Sequence, residues 1–257
     1  MKELIKEAAL ILKRSRFTTA FTGAGISVES GIPSFRGSGG LWEKYDPGVL
    51  DLQHFMHDPA GSWVVIKEIF YDFFGMAKPN KAHLVLARME KEGLLGRIVT
   101  QNIDNLHQEA GSLLLSEFHG NSKKLKCLQC HREYHPGQIS LDHFPPTCVE
   151  CGGILKPGFV FFGEGIPQVP LAEAYEAASI SDVFLIIGTT GEVMPANQIP
   201  FMAKEYGAVI IEVNPEPSNY TDKITDIFLQ GKATVVMEQL ERQLFPAALD
   251  DDQDGIN

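Results

Sequence analysis

Short apolar runs alternating with helical stretches constrain the fold more than any other feature of this sequence. Residues 17–22, 97–100, 183–187 and 209–213 are rich in β-branched, aliphatic and aromatic side chains and read as strands buried on both faces. Helical stretches separate or follow them at about 82–92, 171–179, 196–206 and 233–244, and in the last Val236, Leu240 and Leu244 recur every four residues. Such alternation packs as a parallel sheet with helices on both faces, an open α/β fold whose ligands gather at the carboxyl ends of the strands. Near the N-terminus Leu4, Ala8, Ile11 and Leu12 share one face of a further surface helix.

Two segments break the alternation. Residues 37–80 are helical and aromatic-rich (Phe55, Trp63, Phe70, Tyr71, Phe73, Phe74), and residues 123–154 hold all four cysteines but little core-forming sequence. Both are expected to be insertions that together build a smaller domain above the sheet edge. That leaves 1–36, 81–122 and 155–246 to the large domain and 247–257 as an acidic, solvated tail. A chain of 257 residues suffices for one large core with a small appended module. Its 44% hydrophobic content excludes extensive disorder. A net charge of -11 argues against direct nucleic-acid binding and is compatible with a lysine-rich protein partner. No run approaches the ~20 apolar residues a membrane span needs, and no export signal is recognisable, so no membrane role and a cytoplasmic location are expected.

The cysteines form two knuckles, Cys127-x-x-Cys130 and Cys148-x-x-Cys151, seventeen residues apart. Four thiolates so spaced suit one tetrahedral, structural zinc ion with no position left for water. Cys127 to His131 also matches a c-type haem attachment pattern, but the second knuckle and the missing export signal favour zinc. Gly23-Ala24-Gly25 follows the first strand, where it serves either a pyrophosphate or a tight structural turn; the third glycine of the dinucleotide fingerprint is missing. The polar, glycine-rich stretch 30–37 that follows, with Phe35 and Arg36, reads as a mobile loop folding over a ligand. Gln101, Asn102 and Asp104 directly after a strand suit ribose hydroxyls and a carboxamide, or a helix cap. His119, flanked by Phe118 and Gly120, is a candidate general base or a structural histidine.

Taken in series, these motifs resemble the sirtuins, NAD-dependent protein-lysine deacylases. The resemblance runs through GAGIS-x-x-SGIP-x-FR at 23–36, TQNID-x-L-H at 100–107, FHGN at 118–121 and the paired knuckles. It continues with KPGFVFFGE at 156–164, GTT-x-x-x-x-PA at 188–196 and VNPEP at 213–217. It implies a Rossmann-like large domain with a smaller zinc-binding plus helical domain, and substrates meeting in the cleft between them. By similarity Gly23, Ala24, Gly25, Phe35, Arg36, Gln101, Asn102, Asp104, Gly188, Thr189, Thr190, Asn214 and Ala233 would bind NAD. Val160, Phe162, Gly163 and Glu164, opposite Val193, would pair as a strand with an acylated-lysine peptide. A monomer is the expected state.

The resemblance also implies the chemistry. The acyl oxygen attacks the NAD ribose carbon as nicotinamide leaves, through an oxocarbenium-like state that Asn102 and Phe35 shield from water. His119 acts as general base on a ribose hydroxyl, and the products are free lysine, nicotinamide and O-acyl-ADP-ribose. Mono-ADP-ribosyl transfer to protein would use the same NAD site. Hydride transfer is disfavoured by the missing third glycine, and a non-catalytic NAD sensor by the presence of His119 and Asn102. Relatives that take acidic acyl groups carry a tyrosine and, three residues on, an arginine. Here Tyr71 matches but Phe74 stands at the second position, which favours neutral acyl groups. A threonine in the GTT motif and Lys156 in place of an arginine are milder departures.

Overall fold

The computed structural model describes residues 1–35 and 39–246, so Arg36 and the acidic tail lie outside the described residues. Helix α1 (Lys2–Arg14) buries Ile5, Ala8, Ala9 and Leu12, an i, i+3, i+4, i+7 stripe. Leu4, placed on the buried face by the sequence pattern, is exposed, and Ile11 is only partly covered; the stripe is rotated by one residue so that both alanines let the helix lie close. Strand β1 (Thr18–Thr22) follows, with every residue buried. The first insertion holds α2 (Leu41–Lys44), α3 (Leu52–His57) and α4 (Pro59–Ile66). Asp51 and Asp58 cap α3 and α4 by accepting backbone N–H groups that the first turns leave unpaired, and Pro59 opens α4 where no N–H is needed. The chain returns through α5 (Lys81–Lys91), capped by Asn80, then β2 (Arg97–Thr100), α6 (Leu106–Glu109) and β3 (Leu115–Glu117).

Next come β4 (Gly120–Cys127), β5 (Glu133–Tyr134) and β6 (Leu155–Phe159), then α7 (Gln168–Ile180), β7 (Val183–Ile187), α8 (Gln198–Glu205), β8 (Val209–Asn214), β9 (Ile227–Gln230) and α9 (Ala233–Leu244). Six parallel strands form the large sheet in the order β3-β2-β1-β7-β8-β9, a doubly wound Rossmann-like arrangement. Helices α1, α5 and α9 cover one face and α7 and α8 the other. The order in which strands are added to the sheet reverses between β1 and β7, so a crevice opens at their carboxyl ends. There the two loops touch: the Gly25 N–H donates to Gly188 O at 2.8 Å. A Cβ on Gly25 would lie 2.6 Å from Gly188 Cα, and one on Gly188, where φ is +64°, would lie 2.3 Å from Ile26 N.

The second sheet is antiparallel, in the order β5-β4-β6. Strand β6 lies in the segment expected to join the large sheet, yet it pairs with β4. Its Leu-Lys-Pro-Gly-Phe sequence carries neither the β-branched enrichment nor the alternation that marks a strand. Trp63 joins the two insertions into one core, donating its Nε1–H to Leu155 O at 2.8 Å and stacking against Tyr71 and Phe144 with ring centroids 5.9 and 6.4 Å away. Residues 123–154 also supply more core than expected, since Leu125, Cys127 and Cys148 are buried in this cluster with Phe55, Phe70 and Phe159.

The four cysteine sulfurs lie within 4.8 Å of one another, with Cys127 to Cys151 at 3.5 Å and Cys130 to Cys148 at 3.6 Å. These separations are far beyond a disulfide bond of ~2.05 Å. They approach the ~3.8 Å edge of a tetrahedron with four ~2.3 Å Zn–S bonds. Backbone N–H groups of Gln129 and Cys130 point at Cys127 Sγ, and the Tyr134 hydroxyl donates to Cys148 Sγ at 2.9 Å, contacts suited to thiolates. The cluster fits one structural zinc ion and commits both cysteines of the haem-like motif to it.

Two outcomes are expected. Chelating the zinc should lower the melting temperature and red-shift tryptophan emission, because Trp63 packs on the strand paired with the knuckle-bearing β4; unchanged emission after stoichiometric zinc loss would contradict this packing. Gly188→Ala should cost about 2–4 kcal/mol in chemical denaturation, from left-handed strain plus overlap with the Gly25 loop.

Candidate active site

The crevice at the strand ends continues between the two cores as a cavity of about 550 Å³. Gly23, Ala24, Gly25, Phe35, Gln101, Asn102, His119, Val160, Phe162, Gly163, Glu164, Gly188, Thr189, Thr190, Val193, Asn214 and Ala233 all line it. Most follow directly on a strand or open a helix, where the sheet ends and the backbone turns outward. The absence of side chains at Gly23, Gly25 and Gly188 bares backbone groups to whatever enters, as a pyrophosphate requires.

Asn102 is held from three sides. Its backbone N–H donates to Thr100 Oγ1 at 3.1 Å, and its side-chain amide donates to Gly23 O and Ser27 Oγ, both at 3.2 Å. The amide hydrogens are thus spent on the protein, and Oδ1 is the acceptor offered to a ligand. Ser27 in turn donates to Asp104 Oδ2 at 2.7 Å, while Asp104 Oδ1 accepts the Leu106 N–H at 3.0 Å. Asp104, expected to touch the cofactor, is not among the residues that line the cavity; it holds Ser27, one of the two acceptors of the Asn102 amide, and burial raises its pKa against those hydrogen bonds. Two buried histidines close this layer. His83 Nδ1 accepts the Asn80 N–H, and His107 lies 2.9 Å from Thr22 Oγ1 with its ring 4.9 Å from that of His83. Burial pushes His83 down to about 4 and His107 well below the ordinary range, so both are neutral near pH 7.

His119 occupies the turn between β3 and β4, where the large sheet hands the chain to the small one. Its Nδ1 lies 3.0 Å from Gln101 O. A carbonyl only accepts, so the proton sits on Nδ1 and Nε2 keeps its lone pair. Burial lowers the His119 pKa, opposed by the Gln101 hydrogen bond, and favours the neutral, basic form.

Gln101 Nε2 donates to Thr189 Oγ1 at 3.1 Å and spans the crevice floor. Asn214 Nδ2 donates to Thr189 O at 3.1 Å and to buried Glu212, which also accepts hydroxyl bonds from Ser218, Thr221 and Thr225. Glu29 accepts the Thr234 N–H at 3.0 Å and so caps the start of α9 beside Ala233.

The loop after β6 forms the opposite bank. Val160 N–H donates to His119 O at 2.8 Å, and Phe162 exchanges backbone bonds with Leu50 and Leu52. Phe162 (43% exposed) and Met194 (64% exposed) give the two banks apolar surfaces left open to solvent. Tyr71, expected in the acyl pocket, does not line the cavity. Its ring stacks on Trp63, its hydroxyl is buried without a partner, and burial raises its pKa. Phe74 is buried against Phe70, with ring centroids 5.1 Å apart. Trp42, Ile103, Ile166 and Lys232 line the cavity without having been singled out from the sequence. Ile103 carried a signal as part of the 100–107 motif and Trp42 as an aromatic within the first insertion; the Trp42 ring lies 5.3 Å from that of Phe35.

A model of the Sir2 family matches residues 23–195. An NAD-dependent protein deacylase of Aeropyrum pernix is 44% identical over 248 residues, covering 94% of this chain and 98% of the relative. An NAD-dependent protein deacetylase of Caldivirga maquilingensis is 43% identical, covering 91% of each. Among solved structures, a Sir2 enzyme studied for mechanism and regulation superposes with a TM-score of 0.86 at 41% identity, covering 95% of this chain and 98% of its own. A Sir2 enzyme bound to a propionylated peptide superposes at 0.84 with 32% identity, covering 93% and 98%. With the motifs, the sheet order and the cavity in agreement with these likenesses, the chain belongs to the Sir2 family.

Proposed function

We propose that this protein removes acetyl, or another neutral acyl group, from lysine side chains of proteins, consuming NAD and yielding nicotinamide and O-acyl-ADP-ribose. The observation that carries this reading is the meeting, in one cavity, of a neutral histidine with a free Nε2, a fixed asparagine and bare glycine backbone. The glycine turns fit a dinucleotide pyrophosphate. NAD, when bound, supplies an electrophilic ribose carbon and nicotinamide as leaving group.

The residues then divide the work by their chemistry. Asn102 presents a carbonyl oxygen that stabilises developing positive charge without being a competent nucleophile, and Ser27 and Asp104 keep it from turning away. Phe35 and Trp42 exclude water from the same space. His119 Nε2 accepts a proton from a ribose hydroxyl, and the Gln101 carbonyl stabilises the imidazolium that forms. The loop at 160–164, opposite Val193, lays an extended peptide along its edge, which reads backbone more than side chains. Deacylation is favoured over ADP-ribosyl transfer to protein by relatives solved with a propionylated peptide and with a deacetylated peptide beside 3′-O-acetyl ADP-ribose. Among the described residues no helix is long and apolar enough to cross a membrane. A monomer acting in the cytoplasm is our reading of the rest.

Mass spectrometry of an acetyl-lysine peptide with and without NAD tests the function: acetyl loss with appearance of O-acetyl-ADP-ribose is expected, and ADP-ribose attached to protein with the acetyl retained would make it a transferase. His119→Ala should lower kcat/KM about 10²–10⁴-fold while NAD still binds. Because burial depresses the His119 pKa, the base form persists to lower pH, and the acid limb of kcat/KM should fall below the ordinary 6.5; a midpoint above it would remove His119 as the base. Acetyl and propionyl peptides should turn over and succinyl peptides should not, since Tyr71 and Phe74 are packed in the second core and put no partner for the extra carboxylate into the cavity; equal succinyl turnover would refute this.

A further inference from the structure

Lys156 is a charged side chain in an apolar core, only 7% exposed, and no catalytic step uses it. Its ammonium has three hydrogens, and the fold supplies three acceptors: Pro157 O at 3.0 Å, Phe159 O at 2.7 Å and Glu164 Oε2 at 2.9 Å. The ammonium also lies 4.0 Å from the centre of the Phe161 ring. Glu164 Oε2 accepts the Phe161 N–H at 2.7 Å as well, so one carboxylate oxygen holds both the lysine and the backbone of the loop. Burial lowers the Lys156 pKa while Glu164 opposes that shift. A buried cation of this kind is kept only where its partners are fixed.

The clamp spans the segment that borders the peptide side of the cavity. At one end Val160 N–H is bonded to the carbonyl of His119, and at the other Glu164 N–H closes onto Phe161 O at 3.0 Å. The conformation of residues 160–164 therefore depends on where Glu164 is held, and its register is tied to the general base.

We propose that Lys156 is a positioning residue for the acylated peptide: through Glu164 it holds the 160–164 loop in the shape that pairs with substrate backbone. This rests on the reading of that loop as the peptide edge. It places substrate affinity partly in a side chain that never touches the peptide.

Lys156→Met, Lys156→Arg, Glu164→Gln and the Lys156→Met/Glu164→Gln double variant separate the possibilities. Amide exchange across 160–164 should accelerate in Lys156→Met and stay slow in Lys156→Arg, with melting temperatures recorded alongside. The KM for an acetyl-lysine peptide should rise about tenfold in Lys156→Met, while kcat and the KM for NAD change less than about twofold. The double variant should match the single ones, because both remove one clamp. Unchanged exchange at 160–164 in Lys156→Met overturns the proposal, as does faster exchange with an unaltered peptide KM, or a parallel loss in NAD and peptide parameters. A wild-type protein that releases no nicotinamide with acylated peptide sinks the deacylase reading instead, and the exchange comparison still decides whether Lys156 holds the loop.

Discussion

The contact of Gly25 with Gly188 across the crevice is the constraint on which the site depends. Strands β1 and β7 are neighbours, but their connections leave in opposite directions, so two loops must turn apart within a few ångströms of each other. Only backbones without side chains pass at that distance, and the bond from Gly25 N to Gly188 O fixes their relative height. Every other wall of the cavity is placed relative to this floor. Gln101 reaches across it to Thr189, Asn102 bonds to Gly23 O, and Asn214 bonds to Thr189 O.

A second core makes the crevice into a cleft. The helical insertion and the cysteine segment are far apart in the chain, and neither has enough apolar surface to be stable alone. Trp63 brings them together by filling the space between α4 and β6, and the zinc cluster closes the far end of β4. The loop at 160–164 emerges from this core, and buried Lys156 and Glu164 hold it against the large domain's histidine. Aromatic packing and a buried ion pair thus act on one loop that borders the cavity.

Electrostatics in the layer behind the cavity follow from burial. His83, His107 and His119 are all driven toward the neutral form, yet only His119 faces the cavity with a free ring nitrogen. The other two pack behind Ser27 and Thr22, where a neutral ring fills space without bringing charge under the glycine turns. The same physics leaves a neutral ring open to the cavity in one place and two packed rings behind it. The difference is made by exposure and by which nitrogen is already bonded.

What the sequence determined by itself was local. Strands β1, β2, β7 and β8 announced themselves by apolar runs, α9 by its four-residue repeat, the knuckles by spacing, and the glycine turns by lying at strand ends. Strands β3, β6 and β9 did not, because they are short or carry lysine, proline and glycine, and pairing with neighbours makes them strands. Asp104 and Tyr71 show the same limit within the site. The residues just before Asp104 line the cavity and Asp104 does not, while Tyr71 packs with Phe70 and Phe74 in the second core; which of these happens is set by packing. The tertiary structure alone decided that Asp104 reaches Asn102 through Ser27, that Tyr71 stacks on Trp63, and that Lys156 and Glu164 meet at the 160–164 loop. Each of those contacts joins residues whose separation in space is governed by core packing, and no pattern of neighbours along the chain encodes that distance.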